Sequence, residues 1–491
     1  MKKIVVCIFT LAILLIVAAC GIESANTAEE TYETNISWEI LEEIYIEEYQ
    51  PSIDYEFAQL EPLGPAEAPV SFELAERIWP KPPEILSLED LLYDFDYLSG
   101  ILYENFPFYG PALRKLGLDL HRQKERAREA VLNLHLSGDY SIDSHRLADI
   151  ISGYIISPMR SMGHISGMQA GTRSFDIQLG LIMNDAGLAI PWFPRLYGHY
   201  LYGMFTSPAA IRFYGQSAVN NNADALIQST FAPNNLSFEI IRQDRVAYMR
   251  MHSMNFANFE HDSRLISEFF ERIGHFEHLI IDLRGNRGGN AANFMHQVMA
   301  PLIDEPASFF YYVFLKQGEH ALMFDEFYYL DAKWQAENGL ANLYRDGPRF
   351  SVRSMIHTLP YANPDDFRYL EIGFMREITV MPSRNPADFR GKVWVLIDGG
   401  SLSATEISAA LAGQSGFATL VGSPTAGIFG GYTAAFVSLP NTGMIIRYDY
   451  GYVTDLEGRS LEEFGVMSHV SNRPGMDALA TVLALIDEGN Y

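Results

Sequence analysis

Two serines lie at the start of a predicted helix in the stretch GGSLSATEISAAL, residues 399–411. The apolar run KVWVLID precedes them, so a buried strand is predicted to deliver Ser403 to the first turn of a helix rich in small residues. A hydroxyl placed there lies beside free backbone N–H groups, which stabilise a developing oxyanion, so Ser403 is a candidate nucleophile for acyl transfer. With Glu406 three positions later, the same residues also have the pattern of a helix-capping box, and this structural interpretation stays open.

A second stretch that could support this chemistry is HLIIDLRGNRGG, residues 278–289, a predicted buried strand that runs into a glycine-rich loop. A phosphate-binding loop is the alternative, but neither of the usual patterns, GxxxxGK[ST] or GxGxxG, is present. Nucleotide binding is therefore not expected. Glycines at this place allow a backbone N–H to approach a reacting carbonyl closely.

Together with LVGSPTAGIFGG, residues 420–431, these stretches resemble the C-terminal-processing (tail-specific) serine peptidase family, whose members have a crotonase-like α/β core. The order and spacing match over roughly residues 245–474. YDFDYLSGILYENFPFYG, residues 93–110, and SPMRSMGHISG, residues 157–167, are similar to the helical N-terminal part of the tricorn-like branch. The resemblance therefore covers most of the chain after its acidic N-terminal segment.

The resemblance implies a nucleophile and a base. In this family the serine of Ser-Ala-x-Glu is the nucleophile, which corresponds to Ser403 and leaves Ser401 as a turn residue. The processing branch pairs it with a lysine 25 positions later, but residue 428 is isoleucine here. The tricorn-like branch uses a histidine from the helical region instead, and His164 fits that role because an imidazole can carry the serine proton to the leaving amine. An ordinary structural histidine is the alternative.

The resemblance also implies a carboxylate near the end of the core. Glu462, three residues before a Gly-Val pair, fits this position, and its neighbour Glu463 is the residue with which it could be confused. Its role would be to orient and support the base, directly or through a bridging hydroxyl. The tricorn-like branch commonly has a hydroxyl residue just before the histidine, whereas this chain has Gly163, which leaves the relay between Glu462 and His164 uncertain.

The oxyanion donors implied by the resemblance are the N–H of Ala404 and one N–H from the turn formed by Gly288 and Gly289. A second departure follows the Gly-Val pair, where Ser468-His469 replaces the usual Pro-Asp. This departure affects only the local end of a strand.

The elements that must position these residues alternate in type. Residues 86–163 are predicted to be mostly helical, and from residue 237 strands alternate with helices, which indicates an α/β core built from β-α-β crossovers. The apolar run FFYYVFL, residues 309–315, is counted among the strands of that core. Between Lys316 and Arg390 a long, aromatic-rich and weakly periodic region predicts an insertion or lid. The aromatic region 309–369 would limit entry to flexible segments.

The predicted domain organisation has five parts: a signal segment (1–20), an acidic tether (21–85), a helical subdomain (86–171), a degenerate PDZ-like or family-specific middle unit (172–236) and the catalytic core (237–491). The middle unit is assigned on IRFYGQSAVNNNADALIQSTF, residues 211–231, which resembles the last strand and helix of a PDZ module. The usual Gly-Leu-Gly carboxylate loop is not clear, so capture of a free C-terminus stays open.

The first residues, MKKIVVCIFTLAILLIVAACGIES, resemble a bacterial lipoprotein signal in which Cys20 becomes the lipidated first residue of the mature protein. A bare transmembrane anchor is the alternative, and both place the bulk of the chain outside the cytoplasm. Residues 21–70 contain thirteen Asp or Glu and no Lys or Arg, which is typical of a solvated tether.

Composition excludes several classes of function. Hydrophobic residues make up 48% of the chain, which excludes a disordered protein. With a formal net charge of -26 and no basic stripe, nucleic acid is not an expected partner. Cys7 and Cys20 are the only cysteines, so no thiol chemistry is expected in the mature chain. His275 and His278 come nearest to a metal pattern but lack a third ligand, so neither a metal nor a cofactor is expected.

The sequence thus predicts a membrane-anchored serine-type peptidase that hydrolyses peptides or unfolded segments outside the cytoplasm through Ser403, His164 and Glu462. A catalytically silent lipoprotein that binds a peptide on the same fold is the alternative, motivated by Ile428, Gly163 and the changed strand end. An esterase using the same serine would differ only in substrate. The oligomeric state stays open.

Overall fold

The computed structural model describes residues 81–167, 200–201, 203–215, 230–337 and 344–489. The signal segment with Cys20, the tether up to residue 80 and most of the predicted middle unit, 172–236, lie outside the described residues. The strand predicted from residue 211 for a PDZ-like module was wrong, because residues 211–214 belong to the helix Pro208–Tyr214. The α-helices are, in chain order, α1 (Leu88–Asn105), α2 (Tyr109–Leu116), α3 (Leu120–Leu132), α4 (Tyr140–Ile151), α5 (Pro208–Tyr214), α6 (Phe259–Ile273), α7 (Ala292–Phe294), α8 (Glu319–Glu337), α9 (Val352–Met355), α10 (Pro364–Phe367), α11 (Ala404–Gln414), α12 (Leu461–Phe464) and α13 (Ala478–Glu488).

The strands of the described residues are, in chain order, β1 (Ser166–Gly167), β2 (Leu236–Arg242), β3 (Val246–Met251), β4 (His278–Asp282), β5 (Ala307–Leu315), β6 (Tyr344–Asp346), β7 (Phe350–Ser351), β8 (Ile372–Val380), β9 (Lys392–Ile397), β10 (Thr419–Gly422), β11 (Ala434–Ser438), β12 (Ile445–Asp449), β13 (Gly451–Thr454) and β14 (Val470–Ser471). They form three sheets. The mixed α/β class predicted from the alternating pattern is confirmed.

The helical N-terminal region predicted for residues 86–163 is also confirmed. The first helix, α1, begins at Ser87, whose side chain accepts a hydrogen bond from the Asp90 N–H in a capping box. It buries one apolar stripe at helical spacing, formed by Leu91, Phe95, Leu98 and Leu102. After α4 the chain continues as a π-helical turn, Ser152–Ile156, and two 3-10 turns that end at His164.

The largest of the three sheets has six strands in the order β14-β10-β9-β4-β3-β2, and all neighbours in it are parallel except β2 and β3. Every residue of β4 is buried, as expected for a parallel strand covered on both faces. Helix α13 packs on one face in a cluster formed by Val246, Ile280, Trp394, Leu396, Val421, Ala478, Val482 and Ile486. Because β4 and β9 are parallel neighbours, their carboxyl ends meet at one edge of the sheet.

The run FFYYVFL does not belong to this sheet, so its predicted place in the β-α-β core was wrong. It lies in β5, which pairs antiparallel with β8 over nine residues and with β13 on its other side. With β6 and β7 these strands form a second, antiparallel sheet. The region 316–390, which reads as weakly periodic, supplies β6, β7, β8 and helix α8. An apolar run shows that a strand is buried but does not show which sheet buries it.

The third sheet joins the helical region to the C-terminal part of the chain. It has the order β1-β12-β11, and all its neighbours are antiparallel. Ser166 pairs with Arg447 in this sheet, so the segment just after His164 runs beside the strand that ends in Asp449. Among the described residues, no helix has the length and apolar character needed to cross a bilayer.

Candidate active site

Ser403 lies at the sharp turn between β9 and α11. Its backbone has φ 59° and ψ −125°, a conformation that is strained for a residue with a side chain. The turn is held by Ser401, whose Oγ donates to the carbonyl of Leu283 at 2.9 Å, and by the Ser403 N–H, which donates to the carbonyl of Ile428 at 2.8 Å. Such strain persists only where the surrounding structure fixes it, and here it directs the Ser403 hydroxyl outward from the end of the strand.

The Ser403 hydroxyl, the His164 ring and the Asp449 carboxylate form a continuous hydrogen-bonded line. Ser403 Oγ lies 3.0 Å from His164 Nε2, and His164 Nδ1 lies 2.8 Å from Asp449 Oδ2. Because a carboxylate oxygen only accepts, Asp449 fixes the proton on Nδ1 and leaves the lone pair of Nε2 free to accept from Ser403. This is the arrangement of a serine with its general base and an orienting carboxylate.

The position of His164 is set by three contacts from different elements. The pairing of β1 with β12 brings its segment beside Asp449. The preceding N–H, that of Gly163, donates to Glu462 Oε1. On another side the backbone of Gly430 lies so close that a Cβ there would be 2.3 Å from His164 Cε1. His164 itself has a φ of 43°, in the left-handed region, so these contacts hold a backbone that is costly for a histidine.

Electrostatics favour the protonated form of the His164 ring. Burial by itself lowers the pKa of His164, because only 15% of the side chain is exposed, but the charge and hydrogen bond of Asp449 outweigh it. The net result is a His164 pKa above its ordinary value. A raised pKa strengthens His164 as a base towards the serine proton, and the ring can act as an acid once it has taken that proton.

Glu462 does not contact the imidazole; the direct contact considered for it is made by Asp449. Glu462 instead accepts the N–H groups of Gly163 and Phe429, one at each carboxylate oxygen, and so ties the loop before His164 to the loop beside it. Its burial raises its pKa to about 7, although the nearby His164 charge acts in the opposite direction. Sequence reasoning missed Asp449, whose one signal is an acidic residue inside the apolar stretch MIIRYDYGYV, residues 444–453.

Glu406 has a larger role than the capping pattern indicates. Its Oε2 accepts from the Ser403 N–H at 3.3 Å and from the Ile428 N–H at 2.7 Å, while Oε1 accepts from the Gly427 N–H and the Thr425 hydroxyl. Burial raises the pKa of Glu406, and these hydrogen bonds oppose the rise. The carboxylate therefore holds the loop 425–428 against the serine turn.

The three residues named for the two oxyanion donors, Ala404, Gly288 and Gly289, lie together, but their N–H groups are not equivalent. A Cβ on Gly288 would be 2.8 Å from the Ala404 nitrogen and 2.9 Å from Ser403 Cβ, so the glycine turn packs directly on the start of α11. The Gly288 N–H is already donated to Asn286 Oδ1 at 2.8 Å. Among the described residues the N–H groups of Gly289 and Ala404 have no acceptor, so these two are free to bind a substrate oxygen.

Asn286 fixes this donor pair and was not singled out from the sequence. Its Oδ1 also accepts from the Thr405 hydroxyl at 2.8 Å, and its Nδ2 donates to the Met251 carbonyl at 2.9 Å. One buried amide thus connects the glycine loop, the first turn of α11 and strand β3. Its position inside RGNRGG was the signal available in the sequence.

Residues 245–471 match peptidase family S41. This match confirms the resemblance inferred from the motifs, and the chain is a serine-type peptidase. The comparison with curated proteins finds no match.

Several solved structures are similar to this chain, among them the following three. Mature CPAF in complex with lactacystin is 14% identical, with 82% of this chain and 97% of that chain covered at a TM-score of 0.45. A lipoprotein from Streptococcus agalactiae is 10% identical, with 83% of this chain and 98% of that chain covered at a TM-score of 0.40. The tricorn protease is 12% identical, with 82% of this chain and 36% of that chain covered at 0.36.

Ile428 occupies the position at which the processing branch has its lysine, 25 residues after the serine. The carbonyl of Ile428 accepts a hydrogen bond from the Ser403 N–H. A lysine from the helical region reaches the same loop. Lys115 Nζ donates to the carbonyls of Ala426, Gly427 and Glu462 at 2.6, 3.0 and 3.1 Å. Burial lowers the pKa of Lys115, while the surrounding carboxylates raise it. With its three donors used on carbonyls, Lys115 stabilises the loop.

Two other kinds of site were considered among the described residues, a metal site and a separate cleft. In the ranges that the structure describes, no group of three His, Cys, Asp or Glu side chains could hold a metal ion. A cleft of about 940 Å³ opens between the N-terminal helices and the loops beside the second sheet. Its lining includes Phe106 but neither Ser403 nor His164, so it is separate from the catalytic residues.

Proposed function

We propose that this S41 peptidase cleaves peptide bonds with Ser403 as nucleophile, His164 as general base and Asp449 as the carboxylate that orients it. The observation that carries the proposal is the line of two hydrogen bonds, 3.0 Å from Ser403 Oγ to His164 Nε2 and 2.8 Å from His164 Nδ1 to Asp449 Oδ2. Glu462 has the supporting role of holding the backbone before His164. The arrangement replaces the Ser-His-Glu mechanism expected from the sequence with Ser-His-Asp.

The acylation step follows from this geometry. Ser403 Oγ attacks the peptide carbonyl carbon while its proton passes to His164 Nε2. The negative charge moves to the carbonyl oxygen, which accepts hydrogen bonds from the N–H groups of Ala404 and Gly289. When the carbon–nitrogen bond breaks, the protonated ring gives its proton to the leaving amine, and the acyl group stays on Ser403.

Deacylation repeats the same steps with water. His164 accepts a proton from the attacking water. When the tetrahedral intermediate collapses, the bond between the acyl carbon and Ser403 Oγ breaks, the protonated ring gives its proton to Oγ, and the carboxylic acid is released. The charge of Asp449 stabilises the protonated ring in both halves of the reaction. The substrates we propose are peptides and unfolded segments. For the catalytic core we propose a crotonase-like fold.

We propose in addition that the enzyme acts outside the cytoplasm and that a lipid attached to Cys20 anchors it to the membrane. The support is the N-terminal pattern of two lysines, an apolar run and Ala-Ala-Cys, followed by the acidic stretch 21–70. Incorporation of labelled palmitate by cells expressing the full chain tests the anchor. The label is expected in the wild type and is expected to be lost in Cys20→Ser; equal labelling of both would contradict a lipidated Cys20.

The test of the activity is labelling of residues 21–491 with a fluorophosphonate probe, which reacts with activated serines. We expect the wild type to be labelled, Ser403→Ala to be unlabelled and His164→Ala to be labelled at least 10²-fold more slowly. Ser423→Ala is the matched control, because Ser423 is an exposed serine after β10 whose side chain has no role in the site. It should react like the wild type.

The opposite outcomes are equally clear. A folded wild type that the probe does not label would contradict the peptidase mechanism and favour the binding protein on the same fold. Labelling that persists in Ser403→Ala would place the reactive serine elsewhere. Cleavage of compact folded proteins as fast as unfolded ones would contradict the proposed substrate class.

A further inference from the structure

Arg447 lies next to the catalytic line but takes no part in it. It precedes Asp449 by two residues on β12, so the two side chains lie on the same face of the strand. Its partner across the sheet on one side is Ser166, two residues after His164, and on the other side it is Phe436 of β11. A cation is therefore fixed on the sheet that carries both the base and its orienting carboxylate.

In the part of the chain that the structure describes, no carboxylate neutralises the guanidinium of Arg447. Its Nε is buried and has no hydrogen-bond partner, and the side chain makes no ion pair with any described residue. Arg447 as a whole is half-buried. The two arginines of the described chain that are buried as whole residues do have carboxylates: Arg349 contacts Asp325, and Arg376 contacts Asp346. An unsatisfied arginine nitrogen in a protein interior is costly, so it indicates a group that arrives from outside.

The neighbouring groups leave Arg447 available. Asp449 is directed to His164 through Oδ2, and no contact joins its carboxylate to Arg447 within 4.0 Å. The positive charge is nevertheless felt at the site, since it acts to lower the pKa of His164. A ligand with a negative charge would match the empty donors of Arg447.

We propose that Arg447 binds a carboxylate of the peptide substrate beside the scissile bond, and so selects substrates that carry one there. Alternate residues of a strand are about 7 Å apart, which is also the spacing of alternate residues in an extended peptide. On the strand this spacing separates Arg447 from Asp449, so the bound carboxylate belongs to a substrate residue near the bond that Ser403 attacks, at a position that the peptide series below identifies. It is either an Asp or Glu side chain or the free C-terminus of a short leaving segment.

The inference rests on the proposed function, and the experiment separates the two. Two peptide series are compared by kcat/KM: C-terminally amidated peptides with Glu or Gln at each position around the cleaved bond, and peptides without acidic residues that end in a free acid or an amide. In at least one series we expect the wild type to prefer the carboxylate by roughly 10- to 100-fold, as for a charged hydrogen bond.

Variants of Arg447 test whether this residue causes the preference for a carboxylate. Arg447→Gln should abolish it while fluorophosphonate labelling of Ser403 persists, and Arg447→Lys should keep part of it, because the charge stays and the bidentate fork is lost. Arg272→Gln, an exposed arginine at the end of α6, is the control with the same change of charge. It should retain the full preference.

The series that responds identifies the source of the carboxylate. Equal rates for carboxylate and neutral peptides in both series, or a preference that survives in a labelled Arg447→Gln, would overturn the proposal. If Arg447→Gln does not fold, the wild-type preference and the Lys variant decide. If the wild type has no peptidase activity, fluorescence anisotropy of the same peptides on Ser403→Ala decides: tighter binding of the carboxylate members supports the site, and equal binding overturns it.

Discussion

The backbone of Gly430 lies directly against the imidazole of His164, so that a Cβ at position 430 would be 2.3 Å from ring Cε1 and 2.9 Å from Nδ1. The same glycine has a φ of 58°, which a residue with a side chain adopts only at a cost. Gly430 thus fixes one face of the general base, in the loop that follows the position of the missing family lysine.

Gly430→Ala should displace the His164 ring and slow fluorophosphonate labelling by about 10²-fold, the cost of moving a catalytic group by roughly 1 Å. The control is Gly416→Ala, where φ is 74° and nothing lies within 4 Å of the added Cβ. Both variants carry the backbone strain, so only Gly430→Ala should lose reactivity. Equal labelling rates for the two would contradict the contact.

Asp449→Asn should slow labelling of Ser403 by roughly 10²- to 10⁴-fold, because an amide can place a donor against Nδ1 and no longer supports the charged ring. The activity that remains should also change its pH dependence. Asp449 raises the pKa of His164, so its loss lowers that pKa, and the acidic limb of kcat/KM should move to lower pH. A pH profile of the variant with an unchanged or higher midpoint would exclude Asp449 as the orienting group.

Glu462→Gln should alter how stability depends on pH. The folded protein holds the Glu462 proton up to about pH 7, whereas an unfolded glutamate releases it near pH 4.3, so between these values the folded state binds more protons. The stability contributed by the site is therefore complete below about pH 4.3 and falls by on the order of 3 kcal/mol as pH rises to about 7.

Urea unfolding at pH 5 and pH 7.5 measures this effect. The variant also leaves one of the N–H groups of Gly163 and Phe429 without an acceptor, so it should be less stable than the wild type at pH 5, and the gap should narrow at pH 7.5. Glu371→Gln, at an exposed carboxylate, should show no such narrowing. A gap that stays the same at both pH values would mean that Glu462 is ionised throughout this range.

Gly163→Ser, which restores the hydroxyl common before the histidine in the tricorn-like branch, should destabilise the protein and not improve it. The added Cβ would be 2.5 Å from Phe106 Cε2 and 2.6 Å from Phe108 Cδ2, and φ is 61°. Overpacking of this kind costs about 1–3 kcal/mol in the free energy of unfolding. In urea unfolding, Gly138→Ser is the control, with φ 77° and open space around it. Faster labelling by Gly163→Ser at unchanged stability would show that the relay is missing here.

The helical N-terminal region and the α/β core could be predicted from the sequence, because each rests on local periodicity. Ser403 and the glycine turn could be placed together for a similar reason: both follow buried strands, and the carboxyl ends of parallel strands meet at one edge of a sheet. The second sheet could not be predicted, since the apolar run of β5 gives no information about its partner β8.

The amino-acid sequence alone determined the chemical types of the groups. These are a serine at a helix start, a histidine in a glycine-rich turn and acidic residues near the end of the chain. Which acidic residue contacts the ring was decided only by the tertiary structure. His164 and Asp449 are 285 positions apart, and the antiparallel pairing of β1 with β12 brings them together. That pairing is a long-range contact, and neither local propensity nor motif spacing encodes its register, so Glu462 fitted the motif while Asp449 occupies the place beside the ring.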